Sequence, residues 1–177
     1  MNKINFLKEI QKKIDQLDEH AIRLATNLIL KIKKKNKVIL AGNGASATIS
    51  SHVSVDLTKS VGIRAINFNE AGLLTCFSND YGYEDWIKKA LEFYSMPGDV
   101  LILISSSGNS RNIINAAKIA KKLNLILITL SGFSKKNQLR KKGAINFYVE
   151  SNNYNVVESI HLITLLQIIE NLIIKKT

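Results

Sequence analysis

Ser105, Ser106, Ser107, Asn109 and Ser110 crowd around Gly108 in the stretch LILISSSGNSRNIINAAKIAKK (101–122), between an apolar run and a helical pattern. A strand-to-helix connector needs only one or two turn residues, so this loop has more hydrogen-bonding capacity than turning the chain requires. Serine hydroxyls donate to phosphate oxygens, and glycine lets the backbone come close. A helix N-terminus adds free N–H groups and a dipole that attracts anions. The chemistry on offer is a cradle for a phosphate monoester. The plainer alternative is that Ser110 or Asn109 only caps the helix. A second loop, GNGAS (42–46), also opens a helix and brings Asn43 and Ser46 to such an end. The same loop satisfies G-x-G-x-x-A, with Glu70 near the spacing of a ribose-binding acid, which is the dinucleotide alternative. The helical segment before the first strand and the serine loop do not belong to that pattern.

Two spaced pairs carry acid–base or metal-binding groups. His52 and Asp56 are four apart, on one face of a helix; Glu158 and His161 are three apart, on one face of another. Together they have the donor types of a four-ligand N/O zinc site. The alternatives are a solvated Asp56, an ordinary His52, and a packed His161 between Ile160 and Leu162. His20 has no signal beyond a surface helix.

The elements that must position these groups are legible in the apolar periods. Residues 3–35 have helical spacing without Pro or Gly, as one long helix or two short ones. KVILAGNGAS reads as a strand into a turn, SATISSHVSVDLTKS as a helix, RAINFNE as a strand, and SNDYGY as a turn before the helix EDWIKKALEFY. DVLILIS is a continuous apolar strand of the kind buried on both faces. SRNIINAAKIAKKL, LILITLSG, a short helix near 134–141, AINFYV and the apolar NVVESIHLITLLQIIENLII complete the alternation. Strands alternating with helices imply an α/β protein with a parallel sheet covered on both sides, and ligands beyond the carboxyl ends of its strands.

The 177 residues, 46 % of them hydrophobic, suit one globular domain. A single cysteine, Cys76, excludes an intramolecular disulfide framework and fits a reducing compartment. The N-terminus lacks a signal peptide's apolar core, and no apolar run approaches a membrane span, so the expectation is a soluble cytoplasmic protein. The net charge of +11 comes from scattered lysine pairs without interleaved aromatics, which does not make a nucleic-acid surface.

GNGASATISSHVSVDLT, SNDYGYED, PGDVLILISSSGNSRNIINAAKIAKKLNLILITLSG and VVESIHLITLLQIIENL resemble, in order and spacing, the sugar isomerase (SIS) domain proteins, and among them the phosphoheptose isomerase branch. The resemblance covers nearly the whole chain. It implies a single SIS domain over 1–177, a flavodoxin-like three-layer sandwich with a five-stranded parallel sheet. It implies a homotetramer with the helical segment 1–35 in a subunit interface and the α/β core at 36–177. It implies conversion of a ketose phosphate to an aldose phosphate, sedoheptulose 7-phosphate to D-glycero-D-manno-heptose 7-phosphate, within heptose biosynthesis. Carried over, Ser105, Ser106, Ser107 and Ser110 hold the phosphate, with Asn43, Ser46 and Asp80 near the sugar. Asp56 and His161 are the candidate catalytic residues, His161 aligning with a histidine upstream of the family's acid–base His, and His52, Asp56 and Glu158 are the candidate zinc ligands. Three departures stand out: Asp56 replaces a Glu, Glu158 replaces a Gln, and Leu166 replaces a His that acts as acid or base in the family. The alternative is therefore a non-catalytic phosphosugar-binding protein acting through a protein partner, as in family members that associate with a replication initiator.

Overall fold

The computed structural model describes residues 6–176. The apolar period of the N-terminal segment forms two helices, α1 (Phe6–Ile14) and α2 (Glu19–Leu30). Asp18 makes the break: its Oδ1 accepts from the Ala21 N–H at 2.9 Å and caps α2. The alternation follows as β1 (Val38–Ala41), α3 (Ala45–Lys59), β2 (Ala65–Asn67), α4 (Ala71–Tyr81), α5 (Trp86–Tyr94), β3 (Val100–Ser105), α6 (Arg111–Lys122), β4 (Ile126–Gly132), β5 (Ile145–Val149) and α7 (Tyr154–Lys176).

The five strands are all parallel, in the order β2-β1-β3-β4-β5. Every residue of β1 and β3 is buried, as unalternated runs such as VILA and VLILIS require when both sheet faces are covered. Leu40 and Ile102 face one layer, with Ile29 of α2, Leu57 of α3 and Leu165 of α7. Ile39, Leu101 and Leu103 face the other, with Trp86 and Leu91 of α5 and Ile113 of α6. This is the expected three-layer sandwich. At the amino ends of β1 and β3, Lys37 Nζ donates to the buried Asp99 Oδ2 at 2.7 Å and ties the two strands together.

Three expectations change. The SND of SNDYGY lies inside α4, which Glu70 starts by accepting from the Gly72 and Leu73 N–H groups at 2.9 and 2.6 Å. Those bonds, Gly72 first, hold the Glu70 carboxyl below its usual range, and both its oxygens are engaged in the cap. Between β4 and β5 the chain makes successive turns rather than a helix, with Phe133 and Lys141 at positive φ. Finally, α7, with mean hydropathy 1.5, is long and apolar enough to cross a membrane. Here it packs as a core helix, burying among others Val156, Ile160, Leu165, Ile168 and Leu172 in the layers it joins.

Candidate functional site

β1 hands the chain to an outer strand on one side and β3 to strands on the other, so the strand order reverses between these two neighbours. In parallel sheets that switch point leaves a crevice at the carboxyl ends of the strands. Both loops singled out in the sequence leave the sheet here. They border a cavity of about 310 Å³ lined by Asn43, Ser46 and the serines at 105, 106, 107 and 110, with Tyr154 and Glu158 from the first turns of α7.

Neither helix that opens on this cavity is capped by its own side chain. Gly44 and Ser110 hold the N-cap positions of α3 and α6, and neither makes a side-chain cap bond. Uncapped helix N-termini present N–H donors and the positive end of the dipole to an anion. The capping-only account of Ser110 therefore does not hold. Its Oγ lies 3.3 Å from Ser105 Oγ across the loop, while Ser107 Oγ accepts from the Asn109 N–H at 3.2 Å.

Glycine is required where backbone meets backbone. A Cβ on Gly42 would lie 2.6 Å from the Ser46 carbonyl carbon, so α3 starts this close to β1 only because Gly42 has none. Gly108 has φ +63°, and a Cβ there would overlap Asn137. Asn137 belongs to the 134–141 turns, which clasp the serine loop. The Leu139 N–H donates to Gly108 O at 2.9 Å and the Gln138 N–H to Asn109 Oδ1 at 3.1 Å.

The two loops are also joined directly. Asn43 Nδ2 donates to Asn112 Oδ1 at 3.0 Å, Asn112 Nδ2 donates back to Asn43 Oδ1 at 2.9 Å, and Tyr83 Oη donates to the same oxygen at 3.2 Å. Asn112, in the first turn of α6, was not singled out from the sequence, although its place two residues after Ser110 was the available signal. In the motif SNDYGYED, Tyr83 reaches Asn43, while Glu84 and Asp85 tie the segment to α6: Arg111 pairs with Glu84, and Asn115 Nδ2 donates to Asp85 Oδ1 at 2.9 Å. Asp80 lies on the exposed side of α4, accepting from Asn79 Nδ2 at 3.0 Å and facing Cys76 Sγ at 3.6 Å, and it does not line the cavity. Its charge pushes the Cys76 thiol up.

The acid–base pairs separate. Glu158 Oε1 accepts from Ser106 Oγ at 3.3 Å and is the one carboxylate on the wall of the cavity. His161, three residues on, turns into the core. It is fully buried, its Nε2 lies 3.2 Å from Ser131 O, and its Nδ1 has no partner. Burial pushes its pKa down to about 4 against the opposing pull of the Ser131 carbonyl, so near neutral pH the ring is uncharged, with its proton on Nε2. Glu158 and His161 thus do not share a working face. Val157, Ile160, His161 and Thr164 all belong to the buried side of α7. Leu166 is half-buried against the core. His52 Nε2 and Asp56 Oδ2 form a pair at 3.1 Å on α3, two to three turns from its N-terminus and off the cavity wall. Among the described residues, no three His, Cys, Asp or Glu side chains are grouped to hold a metal ion. The donors His52, Asp56 and Glu158 are not assembled within one chain and do not fit a four-coordinate zinc site.

Residues 4–132 match the SIS domain family. The chain belongs to the SIS domain family. A phosphoheptose isomerase of Aliarcobacter butzleri is 35 % identical over 92 % of this chain and 90 % of its own length. One from Buchnera aphidicola is 38 % identical over 72 % of this chain and 66 % of its own length. Among solved structures, a phosphoheptose isomerase from Francisella tularensis superposes with a TM-score of 0.85 at 25 % identity, covering 100 % of both chains. That from Neisseria gonorrhoeae gives 0.83 at 25 % identity, covering 94 % of this chain and 92 % of its own. In this SIS domain the serine loop and the first glycine loop flank one crevice.

Proposed function

We propose that this SIS domain protein is an aldose–ketose isomerase of phosphorylated heptoses, converting sedoheptulose 7-phosphate to D-glycero-D-manno-heptose 7-phosphate in the cytoplasm. One observation carries the reading: the serine loop and two uncapped helix N-termini converge on a single cavity, in a chain similar to phosphoheptose isomerases along nearly its whole length. Ser105, Ser106, Ser107 and Ser110 donate to the phosphate, and Asn43, held by Asn112 and Tyr83, together with Ser46 faces the sugar. Isomerisation removes a proton from C1 of the ketose as the electron pair forms the C1–C2 double bond and O2 takes a proton. The enediol then gives up the O1 proton while C2 is protonated, leaving the aldehyde at C1. Glu158, on the cavity wall, carries a proton in these transfers. The single domain assembles as a homotetramer in this reading, which agrees with the exposed Phe6, Leu7 and Leu24 of α1 and α2. Subunit contact would bring the outward His52–Asp56 pair against a neighbour.

The second reading, a phosphosugar-binding protein without turnover, is favoured by the burial of His161 and by Leu166 packing into the core. Incubation with sedoheptulose 7-phosphate and direct detection of the aldose separates the two. Turnover by the unmodified protein that Glu158→Ala abolishes supports the enzyme; phosphosugar binding without turnover supports the binding protein.

A further inference from the structure

The turns between β4 and β5 hold the serine loop on one side and wall a cavity on the other. Residues 137–139 hold the serine loop, while Lys135, Arg140 and Lys141 wall a second cavity of about 500 Å³ that shares no lining residue with the first. Its other walls are the corner between α1 and α2, all of β5 after Ile145, and the side of α7 at Ile160 and Thr164.

This cleft is built around cations. Lys13, Lys135, Arg140 and Lys141 line it, against two carboxylates, Asp18 and Glu150. Both carboxylates are occupied: Asp18 caps α2, and Glu150 pairs with Lys135. Lys13, Arg140 and Lys141 make no ion pair with these carboxylates; Lys13 Nζ donates to the neutral Gln16 Oε1 at 3.2 Å. The Arg140 guanidinium is fixed, lying 4.2 Å from the centre of the Tyr148 ring while Nη1 donates to Lys135 O at 2.9 Å. A planar, immobilised guanidinium suits phosphate oxygens better than a free surface lysine does. Lys141 sits at φ 76°, a left-handed conformation that a non-glycine residue adopts only when its surroundings impose it. The cations act on one spot. The Glu150 carboxyl is held below its ordinary range by its hydrogen bond to Lys135, then by the charges of Lys135, Lys13 and Arg140.

We infer that this cleft is a second anion site, for a multiply charged phosphate of the pyrophosphate or nucleoside diphosphate class, and that the serine loop reads its occupancy. The concave shape and limited volume select a small anion over a macromolecular polyanion. Occupancy draws Lys135 and Lys141 toward the bound charge, while Arg140 stays stacked on Tyr148. The same short segment carries Asn137 beneath Gly108 and the N–H groups of Gln138 and Leu139 that hold the loop. The site goes beyond the proposed isomerase activity and does not depend on it.

The test is calorimetric titration of the full chain with inorganic pyrophosphate and with ADP at low salt. A Ser105→Ala/Ser110→Ala variant removes anion binding in the serine cavity. The expected result is that this variant still binds one pyrophosphate, and that adding Lys13→Gln and Lys141→Gln weakens binding about tenfold or more. Lys13 lies on a helix with no buried residue, so Lys13→Gln alone serves as the fold-neutral variant, with weakening in the same direction. Equal affinities for the two probes assign recognition to the phosphates; tighter ADP adds the nucleoside. No pyrophosphate binding in the serine variant, or binding indifferent to Lys13→Gln and Lys141→Gln, overturns the site. For the coupling, pyrophosphate slows amide exchange at 106–110 in the unmodified protein and fails to do so in Lys13→Gln/Lys141→Gln. Unchanged exchange in the unmodified protein overturns the coupling.

Discussion

The serine cavity and the basic cleft lie on either side of one short segment, yet they are built to hold anions by different means. The serine cavity is lined by hydroxyls, an amide, glycine backbone and one carboxylate, with no Lys or Arg on its wall. The cleft is lined by four cations. A charge of +11 on the chain thus says little about how the switch-point crevice holds a phosphate, because its donors are neutral groups fixed by the fold. Fixed neutral donors select by geometry and lose little to salt; exposed cations attract many anions and are screened. The first arrangement suits a particular substrate and the second an anion whose concentration is sensed.

The largest effect separating the two regions comes from the hydroxyls. Ser105→Ala/Ser110→Ala is expected to lower kcat/KM for sedoheptulose 7-phosphate by about 10²-fold or more, since two bonds to a charged phosphate are lost; steady-state kinetics checks it. Lys13→Gln/Lys141→Gln, by contrast, leaves turnover without pyrophosphate within about twofold, because neither lysine touches the serine cavity.

Gly108→Ala sharpens the comparison from the shared segment. Its φ of +63° and the overlap with Asn137 predict a loss of about 3 kcal/mol in denaturant unfolding, together with weaker phosphosugar binding.

His161 gives the next smaller effect, on stability. Its pKa is about 4 in the folded protein and 6.5 when unexposed to the fold, so between those values the unfolded chain binds more protons. Stability from this residue is full above about pH 6.5 and falls as the pH drops toward 4, by about 2 kcal/mol between pH 7 and pH 5. Urea titrations at the two pH values measure the loss, and His161→Asn should flatten it.

The smallest effect is the salt response. Raising salt from about 50 to about 300 mM should weaken pyrophosphate at the cleft several-fold while shifting phosphosugar binding in the serine cavity less than about twofold. Equal salt slopes would erase the distinction between the two regions.

The sandwich was legible because its signals are local and periodic. VILA and VLILIS read as buried strands, and both loops that follow them carry their own glycines and hydroxyls. Less legible was anything set by helix phase or long-range packing. Spacing put Glu158 and His161 together, but α7 is apolar on most sides, and only its seating against the sheet decides that Glu158 faces the cavity while His161 faces Ser131. The start of α4 was hidden in Glu70, which resembled a ribose-binding acid and is a helix cap. The turns at 134–141 have helix-compatible residues, yet Asn137 donates to Gly132 O and Ser134 O at 3.0 and 2.8 Å and folds the segment onto the serine loop. Asp80 shares a motif with residues that do touch the site, and only the path of α4 shows that Tyr83, not Asp80, reaches Asn43.

The serine cavity is proposed to bind a heptose phosphate and to turn it over with this chain's own groups. The direct test is time-resolved detection of D-glycero-D-manno-heptose 7-phosphate from sedoheptulose 7-phosphate by the unmodified protein, by Ser105→Ala/Ser110→Ala and by Glu158→Ala. Turnover is expected from the unmodified protein, with a loss of about 10²-fold or more in Ser105→Ala/Ser110→Ala and none above background in Glu158→Ala. Turnover in Ser105→Ala/Ser110→Ala equal to that of the unmodified protein would contradict this, as would an unmodified protein that binds the ketose phosphate and forms no aldose.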